Sequence, residues 1–125
     1  MKKLTTTCIS LMMLAWIPAF AAETSVLEFW ECKLQDGKTM DDAAKANKKW
    51  LELQHEDNHA EIRSWALTAI VGDLDGFYWL DSFPSLDAWT KSRLLSETPA
   101  GQAVDAELDA AVACTRNRVY RATEH

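Results

Sequence analysis

Apolar positions along this chain recur at two spacings, one of period two and one close to the helical period, and the two alternate. Residues 26–32, Val-Leu-Glu-Phe-Trp-Glu-Cys, alternate and are rich in β-formers, which predicts a strand. Asp36-Gly37-Lys38 reads as a turn. Thr39 then caps a helix, with Asp42 three positions on completing a capping box, and Ala43, Ala46, Trp50 and Leu53 follow at helical spacing. This helix should end between Leu53 and Asn58. Residues 62–71 predict a second strand and 77–83 a third, joined by the hairpin turn Gly72-Asp73-Leu74-Asp75-Gly76. Pro84-Ser85 stops the third strand, and Ser85 caps a helix with Leu86 and Trp89 facing inward. Thr98-Pro99 starts another helix, with Ala103, Val104, Leu108, Ala111 and Val112 as its apolar stripe. Residues 114–122 predict the last strand.

The order strand, helix, strand, strand, helix, extra helix, strand is the split βαβ pattern of a ferredoxin-like α+β fold. Its antiparallel sheet sets the end of the first strand beside the start of the last. Cys32 and Cys114 stand at those two places, so the topology brings together the pair that an oxidising compartment would bridge. The alternative for the two cysteines is a pair of buried thiols. If they are directly opposed, Trp30 lies across from Arg116, Glu28 from Arg118 and Val26 from Tyr120, all on one face. Leu27 and Phe29 are then expected toward the helices. A Glu28–Arg118 pair and an Arg116–Trp30 cation–π contact fall on the face away from them.

The oxidising compartment is itself an inference from the chain's start. Met1-Lys2-Lys3 is positive, residues 4–20 are mostly apolar or small, and Ala19-Phe20-Ala21 is a small-x-small site. That pattern predicts a secretory signal peptide over residues 1–21, since the apolar run is short for a membrane span. Residues 22–125 then form a single domain, periplasmic or secreted, and Cys8 leaves with the signal. Loss of Lys2 and Lys3 takes the formal charge from −6 to −8. An acidic chain with no basic cluster argues against nucleic acid and against an anionic membrane as partners.

Two groups of residues carry a resemblance. Phe83-Pro84-Ser85-Leu86-Asp87-Ala88-Trp89 is similar to the strand-to-helix corner of the dimeric α/β-barrel superfamily, the ferredoxin-like proteins that include antibiotic-biosynthesis-type monooxygenases. Cys32, Gly37-Lys38, Asp41-Asp42 and Asn47 with Trp50 more narrowly resemble a group of uncharacterised exported bacterial members. The resemblance covers essentially all of residues 22–125. It implies a homodimer whose sheets close around a small-molecule cavity. The superfamily includes cofactor-free oxygenases, haem-handling enzymes and proteins without known activity. No haem-ligand motif maps onto this chain, so no cofactor is expected.

Three constellations are candidates for chemistry. His55-Glu56-Asp57-Asn58-His59 fits H-E-x-x-H, whose two histidines would ligate zinc beside a glutamate base. It lies where the helix should end, and the competing reading is a solvated terminus whose histidines complement the helix dipole. Asn47 interrupts an apolar stripe, either to meet a ligand or to bond nearby backbone. Asp81, alternating with Trp79 and Phe83, and Glu28, among aromatics, are candidate general bases or members of ion pairs. Trp30, Asn47, Trp79 and Arg118 are the expected ligand-binding residues.

The second and third strands are apolar on both faces, as in a sheet covered on both sides. A second copy is the expected cover, with the extra helix at 99–113 as the competing lid. The expectation is an exported domain binding a small apolar or aromatic molecule between the sheet faces of a homodimer. The alternatives are a cofactor-independent oxygenase or isomerase with a carboxylate base, and a small zinc hydrolase; whether the chain is an enzyme stays open.

Overall fold

The structure, a computed structural model, describes residues 24–57, 61–72 and 76–123; the signal segment expected over residues 1–21 lies outside them. The elements are β1 (Thr24–Leu34), α1 (Met40–Glu56), β2 (Arg63–Leu67), β3 (Phe77–Phe83), α2 (Leu86–Ser96), α3 (Pro99–Ala111) and β4 (Val112–Thr123). Four antiparallel strands form one sheet in the order β2-β3-β1-β4, the ferredoxin-like α+β arrangement.

Local chemistry sets the helix starts as expected. Thr39 Oγ1 accepts from the Asp42 amide at 3.3 Å, and the Asp42 carboxylate accepts from the Thr39 amide at 2.9 Å. The Thr39 hydroxyl, which donates to that carboxylate at 2.7 Å, and then the Thr39 amide hold the Asp42 carboxyl below its ordinary range. Ser85 caps α2 and Thr98 caps α3, each accepting an amide from three residues on. Helix α1 ends at Glu56, inside the expected interval.

Strand β2 corrects the expectation of a strand over residues 62–71. It ends at Leu67, and Ile70 and Val71 are 97% and 92% exposed. Its register pairs Leu67 with Tyr78, one residue from the start of β3, so the chain beyond Leu67 has almost no strand left to pair with. On the other side of that turn Gly76 takes φ +129°, and a Cβ there would stand 2.2 Å from the Cys32 carbonyl. Only glycine fits that approach.

The helices cover the opposite face from the one expected. Val26, Glu28 and Cys32 of β1 and Phe77, Trp79, Asp81 and Phe83 of β3 are buried beneath them, while Leu27 and Phe29 point to the bare side. Ala43, Ala46 and Trp50 of α1 and Ala88 of α2 complete two core clusters on the covered side. Leu86 is exposed rather than inward, because the phase set by the Ser85 cap turns Ala88 and Ser92 to the sheet. In α3 Leu108 packs against both clusters, whereas Ala103 is exposed and Val112 already belongs to β4. Helix α3 therefore lies in the same layer as α1 and α2. It is not a lid over the bare face.

Candidate functional site

Cys32 and Cys114 are opposed across β1 and β4 and joined as a disulfide, with Cα atoms 4.0 Å apart. Between Glu31 and Cys32 the register shifts, so that Glu31 pairs with Arg116 and Thr115 is the extra residue of a bulge. That one residue overturns the expected Glu28–Arg118 pair. Arg118 stands opposite Phe29 on the bare face, and Glu28 stands opposite Val119 on the covered one. The Arg116–Trp30 contact goes the same way, since Trp30 lies across from Asn117.

Glu28 is 1% exposed and takes its partners from two elements. Asn117 Nδ2 of β4 donates to it at 2.6 Å, Trp89 Nε1 of α2 donates at 3.1 Å, and Arg93 of α2 lies 3.7 Å away. The half-buried Trp89 thus faces inward as expected, but as a donor to a carboxylate. Arg93 also lies over the Trp30 ring, 5.7 Å from its centroid, in the cation–π role expected of Arg116.

Asp81 is the neighbour of Glu28 across β1 and β3, and of Ser64 across β2 and β3. It is 7% exposed, and its Oδ1 has no hydrogen-bond partner among the described residues. Burial pushes its carboxyl up to about 7, against the lowering hydrogen bond of Ser64; the Glu28 charge adds to the rise and Arg93 opposes it. Asn47 Nδ2 of α1 donates to Ser64 Oγ at 3.0 Å. The amide that interrupts the apolar stripe therefore anchors the hydroxyl beside Asp81.

These groups border a cavity of about 250 Å³ between the sheet and the helices of one chain. Trp30, Trp79 and Asp81 rise from the sheet; Asn47 and Trp50 come from α1 and Arg93 and Ser96 from α2. Asp105, Leu108 and Asp109 of α3 close it, with Val112 and Cys114 at the edge. Burial also raises the Asp105 carboxyl; Arg93 opposes this and Asp109 reinforces it. Trp79 Nε1 and Arg93 Nε are buried donors without a partner among the described residues. An acid near neutrality bordered by three indoles can hold a small ring and exchange a proton with it.

Of the expected ligand-binding residues, Trp30, Asn47 and Trp79 meet here and Arg118 does not. Sequence reasoning missed Arg93, Asp105 and Asp109. A signal existed for two of them: Asp105 and Asp109 are four apart and flank Leu108, the centre of the apolar stripe. His55 Nε2 donates to the Ile62 carbonyl at 3.1 Å, which ties the end of α1 to the start of β2. His59 lies outside the described residues. Among the described residues no three potential ligands gather around a metal-sized point, and no helix is long and apolar enough to cross a membrane.

No protein-family model and no curated protein matches the chain. Solved structures do. SnoaB of Streptomyces nogalater, described as a cofactor-independent oxygenase, aligns over 84% of this chain and 97% of its own at 10% identity and TM-score 0.55. A nipsnap family protein with unknown function from Agrobacterium tumefaciens str. C58 aligns over 81% and 86%, at 14% identity and TM-score 0.54. A dimeric ferredoxin-like protein of unknown function from Thermobifida fusca YX aligns over 81% and 92%, at 11% identity and TM-score 0.50. The chain shares the ferredoxin-like fold of these proteins, which bears out the superfamily resemblance at the level of fold.

Proposed function

We propose that this chain is an exported small-molecule-binding domain that works as a homodimer, with the binding cavity inside each chain rather than between the two sheets. The observation that carries the reading is Asp81, a buried carboxyl with an unpartnered oxygen, bordering an indole-walled space of about 250 Å³. An engineered apolar cavity of about 150 Å³ admits benzene, so this space suits one substituted ring and is small for three fused ones. Saturable quenching of tryptophan emission by single-ring aromatics tests it. Leu108→Trp, which fills the cavity, should abolish the quenching; unchanged titrations in that variant would refute the assignment.

The dimer rests on the bare face. Leu27, Phe29, Trp65, Leu67, Tyr78, Leu80 and Tyr120 share that face, and Trp65, Leu67 and Tyr120 are exposed there. The Thermobifida neighbour is described as dimeric. Sedimentation equilibrium at micromolar concentration should give twice the chain mass, and Leu80→Glu should halve it. Export rests on the cysteine bridge and the signal-like start. Periplasmic or secreted protein should begin at Ala22, as read by intact mass.

A second reading is favoured by the Asp81 carboxyl at about 7. A group that exchanges its proton near neutrality can abstract one from a bound carbon or oxygen acid, the step that begins cofactor-independent oxygenation or isomerisation. The SnoaB likeness is consistent with that chemistry and no more. Asp81→Asn separates the readings: an enzyme loses turnover, while a binding domain shows only a change in affinity.

A further inference from the structure

We propose that the cavity is selective for a small organic cation, a single-ring amine whose ammonium lies against Asp81 and whose far end carries an oxygen acceptor. This rests on the small-molecule reading above and names the ligand's charge and polarity.

Asp81, Asp105 and Asp109 border the space, and among the described residues Arg93 is the one basic side chain on its wall. Arg93 already faces Glu28 at 3.7 Å, so its charge is largely matched before any ligand enters. A carboxylate ligand would add a fourth anion to a wall that is already negative. An ammonium would supply the counter-charge that the unpartnered Asp81 Oδ1 lacks. Asp81 is more than nine-tenths buried, lines the cavity and keeps one oxygen without a hydrogen-bond partner among the described residues.

The wall is aromatic: Trp30, Trp50 and Trp79 all border the space, and Arg93 already holds a cation over the face of Trp30. Indole faces attract cations most strongly where water is excluded. The two remaining unpartnered groups, Trp79 Nε1 and Arg93 Nε, are donors and require an acceptor on the ligand. A ring carrying both an ammonium and a hydroxyl or carbonyl oxygen would offer both kinds of partner. Neither a hydrocarbon nor an aromatic acid would.

Three near-isosteric probes test this by titration calorimetry at pH 8: tyramine, 4-(2-hydroxyethyl)phenol and 4-hydroxyphenylacetate. They share the phenol and differ in the tail, which is cationic, neutral or anionic. Tyramine should bind at least about tenfold tighter than the neutral alcohol, with the acid weakest. Asp81→Asn should reduce tyramine to the affinity of the alcohol. The variant removes a buried charge without changing volume, and wild-type protein alone yields the ranking should it fold poorly. Equal or tighter binding of the alcohol, or a tyramine preference that survives Asp81→Asn, would overturn the cation proposal and leave the small-molecule reading standing. Binding of none of the three would overturn both.

Discussion

The two faces of this sheet divide polar and apolar roles in an unusual way. Beneath the helices lie two buried carboxyl groups, Glu28 and Asp81, side by side on neighbouring strands. The bare face is instead apolar, with Phe29 and Tyr120 in edge contact at 5.5 Å and Leu80 next to Trp65. Burial therefore follows what each side can offer. The helix layer brings Trp89 and Arg93 to Glu28 and β4 brings Asn117, so a carboxylate is tolerated there. On the bare face Arg118 stands opposite Phe29 and Glu31 pairs with Arg116, leaving Leu27, Leu80, Trp65 and Leu67 as an apolar stretch that another protein surface would suit. Within the covered side the two carboxyls differ again. Glu28 is surrounded by donors, while Asp81 keeps one oxygen unpartnered and an elevated affinity for its proton.

The largest expected effect tests what holds the covered side together. The Cys32–Cys114 bridge joins positions 82 apart. Replacing both cysteines by serine should cost about 4 kcal/mol on the chain-entropy account, measured by urea unfolding. A cost under about 1 kcal/mol would show that the strand pairing alone fixes this corner.

The contrast between the carboxyls is sharpened by pH. Asp81 moves from 3.8 to about 7, so the folded chain keeps a proton that the unfolded chain has released. Its contribution is therefore lost as pH rises between about 4 and 7 and is constant above, a change of up to about 4 kcal/mol. Asp81→Asn removes that slope, so the stability of the variant relative to wild type should climb over the same interval. A difference flat from about pH 4 to 8 would mean that Asp81 titrates normally.

Glu28 is the carboxyl whose partners are in place. Glu28→Leu leaves Asn117, Trp89 and Arg93 without their acceptor and should cost about 3 kcal/mol in urea unfolding. A neutral or stabilising result would erase the distinction between the two groups. The smallest effect belongs to the bare face. Phe29→Ser removes the edge contact with Tyr120 and should cost about 1 kcal/mol per chain when unfolding is extrapolated to low concentration. Its main consequence should be weaker self-association. A concentration-independent loss of about 3 kcal/mol or more would place Phe29 in a core of its own.

What the residues determined alone was local. Thr39 with Asp42, Ser85 and Thr98-Pro99 mark helix starts because a cap needs only a side chain and an amide three residues away. The strand–helix order and the cysteine positions were enough for the ferredoxin-like topology, since an antiparallel neighbour fixes which ends meet. Trp30, Asn47, Trp79 and Asp81, which line the cavity, were legible as candidates because polar and aromatic side chains interrupt or alternate within apolar patterns. Which face the helices would cover was decided by tertiary structure. Both sets of β1 side chains include aromatics, and the choice turned on partners from α2 and β4 that local pattern does not encode. The bulge at Thr115 exchanged Arg118 for Asn117 through a single extra residue, and the site's cation came instead from Arg93 on a different element. Period-two reasoning loses its phase wherever one strand gains a residue, and only the paired strands reveal where that occurs.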